Sequence, residues 1–144
     1  MPNIAEAEAR LLLSRPLHCE GAAWTSRRHP QEGHIFSAGL LDDSGSATSM
    51  FVELAFIQDA TAARARYIFS VFLRKRYGQE RVYQLDVIQE SRRSKDTHRR
   101  SHEHIGDLRL TGPARWDNWS YHEVLNYFCA QTNIIFDPVL PSPK

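Results

Sequence analysis

The sequence predicts a single α+β domain built on a mainly antiparallel β-sheet, packed by a helix near the C-terminus and a second helix at the N-terminus. Two pairs of strand patterns follow one another through short turns with no intervening crossover helix, which favours antiparallel pairing. A well-capped amphipathic helix comes after them and needs a sheet against which to bury its apolar side. The chain has 144 residues, 42% hydrophobic and 24% charged, enough for one core and short for two. The whole of 1–144 is therefore read as one domain, with residues 1–3 and 137–144 expected to fray.

Asn3 is placed to cap the first helix, with Glu6 at capping-box spacing. Ile4, Ala7, Leu11 and Leu12 fall near one helical face, and Pro16 ends the pattern. Arg27 to Gly33 reads as a polar loop. His34 to Leu41 and Met50 to Ile57 then read as a hairpin, because the intervening Asp42-Asp43-Ser44-Gly45-Ser46 is rich in turn formers. A stronger hairpin follows. Tyr67, Phe69, Val71 and Leu73 share one strand face, and Tyr83, Leu85 and Val87 share another. Pairing those faces requires odd positions to oppose odd positions, for which a three-residue Gly78-Gln79-Glu80 connection is expected.

Gln89 to Ser101 lacks a core pattern and is expected to be an exposed loop. A short strand from His104 to Leu110 and a Gly112-Pro113 break precede the last helix. That helix is marked by the Ser120/Glu123 capping box, by Trp119 and Val124 at staple positions, and by Tyr121, Val124, Leu125, Phe128 and Cys129 on one face. Asn133 is its expected stop, and Ile134 to Phe136 an added strand.

The net charge of +1 hides an uneven distribution, since residues 64–104 hold 11 Lys/Arg against 5 Asp/Glu. A basic middle suits a polyanion, because cations near phosphates displace counterions without reading sequence. The cations expected to contact nucleic acid are Arg92, Arg93 and Arg99. Apolar runs such as Ile68 to Leu73 are far shorter than the roughly 20 residues needed to cross a bilayer, so no membrane partner is expected. Glu6 and Glu8 stand where a signal peptide carries positive charge, so a cytoplasmic location is expected. Cys19 and Cys129 make no paired ligand motif and read as buried free thiols.

The chemistry concentrates in residues 98–107, where three histidines, two arginines and two carboxylates lie within ten positions. In an extended strand, His102 and His104 project from the same face. Two imidazoles beside a cation can cleave RNA without a cofactor: one removes the 2′-hydroxyl proton, the other protonates the leaving oxygen, and Arg100 or Arg99 stabilises phosphate charge. A divalent metal is the other route, with Glu53, Asp86, Glu103 or Asp107 adding an oxygen ligand to the His-x-His pair. The sequence contains no phosphate-binding glycine loop, no G-x-S-x-G elbow and no H-E-x-x-H motif. Tyr67, Phe69 and Tyr83 read as a buried sheet face in preference to a base-stacking platform, and Trp119 as a helix staple.

The succession of a strand hairpin, a His/Arg-rich connection, His102-Glu103-His104-Ile105-Gly106-Asp107 and a helix containing Glu123-Val124-Leu125 resembles the TumE-like toxin family of bacterial toxin–antitoxin systems. The resemblance covers roughly residues 50 to 130. It implies a small cytoplasmic α+β toxin neutralised by a separate antitoxin protein. Two functions are thus expected as alternatives: a growth-inhibiting, RNA-cleaving protein acting through His102, His104 and Arg100, or a non-enzymatic binding domain that assembles as a homodimer through an exposed strand edge.

Overall fold

The computed structural model describes residues 4–21, 23–27, 33–59, 64–89 and 100–143. Helix α1 is Glu6–Leu12. Strands β1 Leu17–Cys19, β2 Thr25–Arg27, β3 Gly33–Leu41, β4 Ala47–Asp59, β5 Arg64–Lys75, β6 Gly78–Gln89, β7 His102–Ile105 and β8 Leu108–Thr111 follow. A 3-10 turn at Ala114–Asn118, helix α2 at Tyr121–Thr132 and strand β9 at Ile134–Phe136 complete the fold. Among the described residues the strands form one sheet in the order β8-β7-β6-β5-β4-β3-β1-β9, with β2 also pairing β3. Every pairing is antiparallel except β1 with β9. The α+β class expected from the sequence is the observed one.

The odd-numbered apolar positions of β5 and β6 lie on one face. There Tyr67, Phe69, Val71, Leu85 and Val87 join the even positions Val52, Leu54 and Phe56 of β4 in the core. Helix α2 covers this face: Phe128 meets Phe69 and Tyr83 with ring centroids 5.6 and 5.8 Å apart. The Ser120/Glu123 capping box is formed on both sides, and Asn133 ends the helix in the left-handed conformation at φ 59°. Ile4, Ala9 and Leu13 bring α1 onto the same core, as Trp116 does for the 3-10 turn. No helix among the described residues is long and apolar enough to cross a membrane.

The structure departs from the sequence expectations in instructive ways. The β5–β6 connection is the two-residue Arg76-Tyr77 turn, with Lys75 opposite Gly78. A two-residue turn alone would set odd positions against even ones. The register shifts between Val71 and Phe72, where Val71 opposes Tyr83 and Phe72 opposes Arg81, so the extra residue Val82 restores odd-to-odd pairing. The expected strand from His104 to Leu110 is instead a hairpin, β7 and β8, folded at Gly106 with φ 58°.

Of the expected inward face of helix α1, Ile4 and Leu12 meet the core while Ala7 and Leu11 are exposed. Leu11 is 73% exposed, while Ala9 and Leu13 are buried. Its start is fixed by the β7–β8 turn: Asp107 Oδ1 accepts from Glu6 N at 3.0 Å, and a Cβ at Gly106 would lie 2.5 Å from the Ile4 carbonyl oxygen. Ala5 is the N-cap and makes no side-chain cap, and the expected capping residue Asn3 lies outside the described residues. Ser101, placed by the sequence in an exposed loop, is buried. Its Oγ accepts from Ile88 N at 2.9 Å and donates to Asp117 at 2.8 Å. Within 137–143, Leu140 is buried, Tyr121 donates to its carbonyl, and Trp24 Nε1 donates to that of Pro141, while Val139 is exposed.

Candidate functional site on the outer sheet face

Strand β7 sends alternate side chains to opposite faces. Glu103 opposes Leu85 and Ile105 opposes Tyr83, so both face the core. His102 opposes Asp86 and His104 opposes Gln84, so both imidazoles stand on the outer face, away from α1 and α2. The structure thus brings together the two histidines singled out in the sequence. Their ring centroids are 5.0 Å apart at an interplanar angle of 87°.

His102 is buried and held. Its Nδ1 lies 2.7 Å from the Arg100 carbonyl oxygen, an acceptor without a proton of its own, so Nδ1 carries the hydrogen and donates it. The neutral ring therefore presents Nε2 as its basic atom, 3.8 Å from Asp86 Oδ2. Asp86 is gripped across the strand by Arg66, whose Nε and Nη2 donate to its two oxygens at 2.9 and 2.5 Å. Burial lowers the pKa of His102, partly offset by the Arg100 hydrogen bond and the Asp86 charge. His104 is half-buried, and its pKa is pushed down to about 4, first by burial and then by the positive charge of Arg81, by His102 and by Arg109. At neutral pH the pair is two uncharged imidazoles in a positive field, and an anion arriving between the guanidinium groups would raise both pKa values.

Arg100 enters this site through its backbone. The cations whose charge acts on the imidazoles are Arg81 and Arg109, joined by Arg66 at His102. Sequence reasoning did not single out these three. Parity of the central hairpin could have found Arg66, since even positions of β5 lie opposite the core. Arg81 is an odd position carried to the outer face by the bulge at Val82, and Arg109 arrives through the β7–β8 hairpin, so neither had a local signal. Arg92, Arg93 and Arg99 lie outside the described residues.

The four carboxylates named as possible metal ligands separate. Asp86 alone stands beside the histidines; Glu103 faces the core, Asp107 caps α1, and Glu53 lies on β4, two strands beyond β6. No group of three His, Cys, Asp or Glu residues able to hold a metal ion occurs among the described residues. Tyr67, Phe69 and Tyr83 are buried in the core. Trp116 is buried too, and Trp119 stacks on it at 4.9 Å. Both cysteines are free, Cys19 buried and Cys129 partly so.

On the covered face, Glu103 forms a second polar cluster. Tyr83 and Gln131 donate to its Oε1 at 3.0 and 3.1 Å, and Tyr127 donates to Oε2 at 2.5 Å. Burial, then the neighbouring Glu103 charge, raises the pKa of Tyr83; burial, then the hydrogen bond to Glu103, raises that of Tyr127. These phenols stay protonated as donors, and the cluster binds β6 and β7 to α2.

No family model, no curated protein and no solved structure matches this chain.

Proposed function

We propose that this protein is a growth-inhibiting toxin that cleaves RNA on the outer sheet face, with His102 and His104 as its acid–base pair. The observation that carries the reading is the edge-on imidazole pair, 5.0 Å apart, among Arg66, Arg81 and Arg109. The expected resemblance to TumE-like toxins supports the biological role and supplies the antitoxin as partner. His104, the more strongly depressed of the two, is the base. It takes the proton of a ribose 2′-hydroxyl as that oxygen bonds to phosphorus. His102 is the acid: the bound phosphate raises its pKa, so that Nε2, 3.8 Å from Asp86, takes up a proton from water before the bond breaks. It gives a proton to the 5′-oxygen as the phosphorus–oxygen bond breaks, leaving a 2′,3′-cyclic phosphate and a 5′-hydroxyl. Arg81 and Arg109 balance the charge that builds on phosphate, and the reaction requires no cofactor.

Wild-type protein is expected to halt bacterial growth when induced without antitoxin and to cut RNA in vitro. It should spare the same oligonucleotide with a 2′-deoxyribose at the cut. His102→Ala and His104→Ala should each lower cleavage by roughly a hundredfold to ten-thousandfold while remaining folded. Undiminished cleavage or toxicity in both variants sinks the site assignment.

A second reading, assembly by strand-edge pairing, is favoured by the end strands of the sheet: Leu110 on β8 is 42% exposed and Ile135 on β9 is 50% exposed. A protein that sediments as a dimer and neither cuts RNA nor slows growth would establish it instead.

A further inference from the structure

The register aligns six strands in one polar row on the outer face. From β8 to β3, Arg109 opposes His104, His104 opposes Gln84, Gln84 opposes Ser70, Ser70 opposes Glu53, and Glu53 opposes Ser37. Directly opposed residues in a sheet project to the same side, so the row is continuous. It is also uneven in height. Ser70 is small and almost wholly buried, and it accepts from Gln84 Nε2 at 2.9 Å. At β5 the rows beside it carry larger side chains, Ile68 on one side and Phe72 on the other; the first runs from Ala55 through Ile68 and Asp86 to His102, the second from Phe51 through Phe72 to Arg81. A polar row, lowest at Ser70 where it forms a shallow trough between Ile68 and Phe72, therefore leads from the imidazole pair across the sheet to the half-buried Glu53.

From this geometry we infer that the trough seats single-stranded RNA running away from the cut phosphate, and that Glu53 reads a guanine base. The inference rests on the proposed RNA-cleaving function. Charge fixes the direction: the cations cluster at the His104 end, where phosphate belongs, and the trough turns anionic only at Glu53, where a phosphate would be repelled. Glu53 lies three strand spacings from His104, roughly 14 Å between Cα atoms, within reach of a short stretch of strand. A carboxylate offers two acceptor oxygens and no donor. Among the four bases, guanine alone presents two adjacent donors on its Watson–Crick edge, N1–H and the N2 amino group, matching a carboxylate fork. That edge is open to a protein only in unpaired RNA.

The test uses full-length protein and fluorescent 2′-O-methyl tetranucleotides, which lack the attacking hydroxyl and report binding alone. One position carries guanine, inosine, adenine, cytosine or uracil. Wild type should bind the guanine oligonucleotide roughly tenfold to a hundredfold tighter than the uracil one. Inosine, lacking the N2 amino group, should fall between them. Glu53→Gln, with a wild-type circular dichroism spectrum, should lose the preference, because its amide replaces one acceptor with a donor. Equal binding of all bases by wild type, no binding of any, or a guanine preference that survives in Glu53→Gln each overturns the inference. A Glu53-dependent guanine preference without cleavage of the matching 2′-hydroxyl RNA would uphold the trough and refute the catalytic reading.

Discussion

On the covered face of β7, Glu103 is enclosed by three donors from β6 and α2. One residue to either side, His102 and His104 stand on the opposite face as imidazoles kept neutral by burial and by neighbouring positive charge. The carboxylate is satisfied within the protein and holds elements together. The imidazoles stand among the Arg66, Arg81 and Arg109 charges, with the Asp86 carboxylate beside His102. Neighbouring polar residues of one strand thus serve different ends, and what separates them is which side of the sheet the helices cover.

The largest effect should come from breaking the covered face itself. Leu125→Asp puts an unpaired charge into the packing of α2 on the sheet and should cost more than about 3 kcal/mol of unfolding free energy. Chemical denaturation with wild-type stability would show that α2 does not close this face. Next comes the carboxylate. Glu103→Ala leaves the Tyr83 and Tyr127 hydroxyls and the Gln131 amide without their acceptor, a loss of about 2 to 4 kcal/mol. Thermal melts of Glu103→Ala and His102→Ala decide the comparison: if the histidine variant is the less stable, the division between the two faces is wrong.

The smallest effect is a pH dependence from the outer face. Unfolded His104 takes a proton near its usual 6.5, whereas the folded site resists until about 4. The unfolded state therefore binds the proton first. The contribution is fully present above 6.5 and is lost as pH falls from 6.5 towards 4. After discounting for solvent at a half-exposed ring, the loss is about 1 to 2 kcal/mol. His104→Gln should flatten denaturation midpoints across that window. An unchanged slope would mean that another group, His102 first, carries the titration.

Much of the covered face was legible from the sequence because it follows local rules. The alternation in Tyr67–Leu73 and Tyr83–Val87, the Ser120/Glu123 box and the Asn133 stop each depend on neighbours within a few positions. The His-x-His pair was legible for the same reason, since a strand alternates whatever surrounds it. Periodicity placed Ile4 and Leu12 of the α1 region correctly but not Ala7 and Leu11, because seven residues carry too little pattern to outweigh docking on the Gly106-Asp107 turn.

What the sequence determined by itself, then, was the class of fold, the identity of the central hairpin and the pairing of the two imidazoles on one strand face. Only the tertiary structure decided which face the helices cover, and that choice turned Glu103 inward to Tyr83, Tyr127 and Gln131 while leaving the histidines to Arg66, Arg81 and Arg109. It also set the Val82 bulge and the row from Arg109 to Ser37. Local patterns fix the direction of a side chain relative to its own strand. Register between strands distant in sequence fixes what it meets there, and that depends on the packing of the whole sheet.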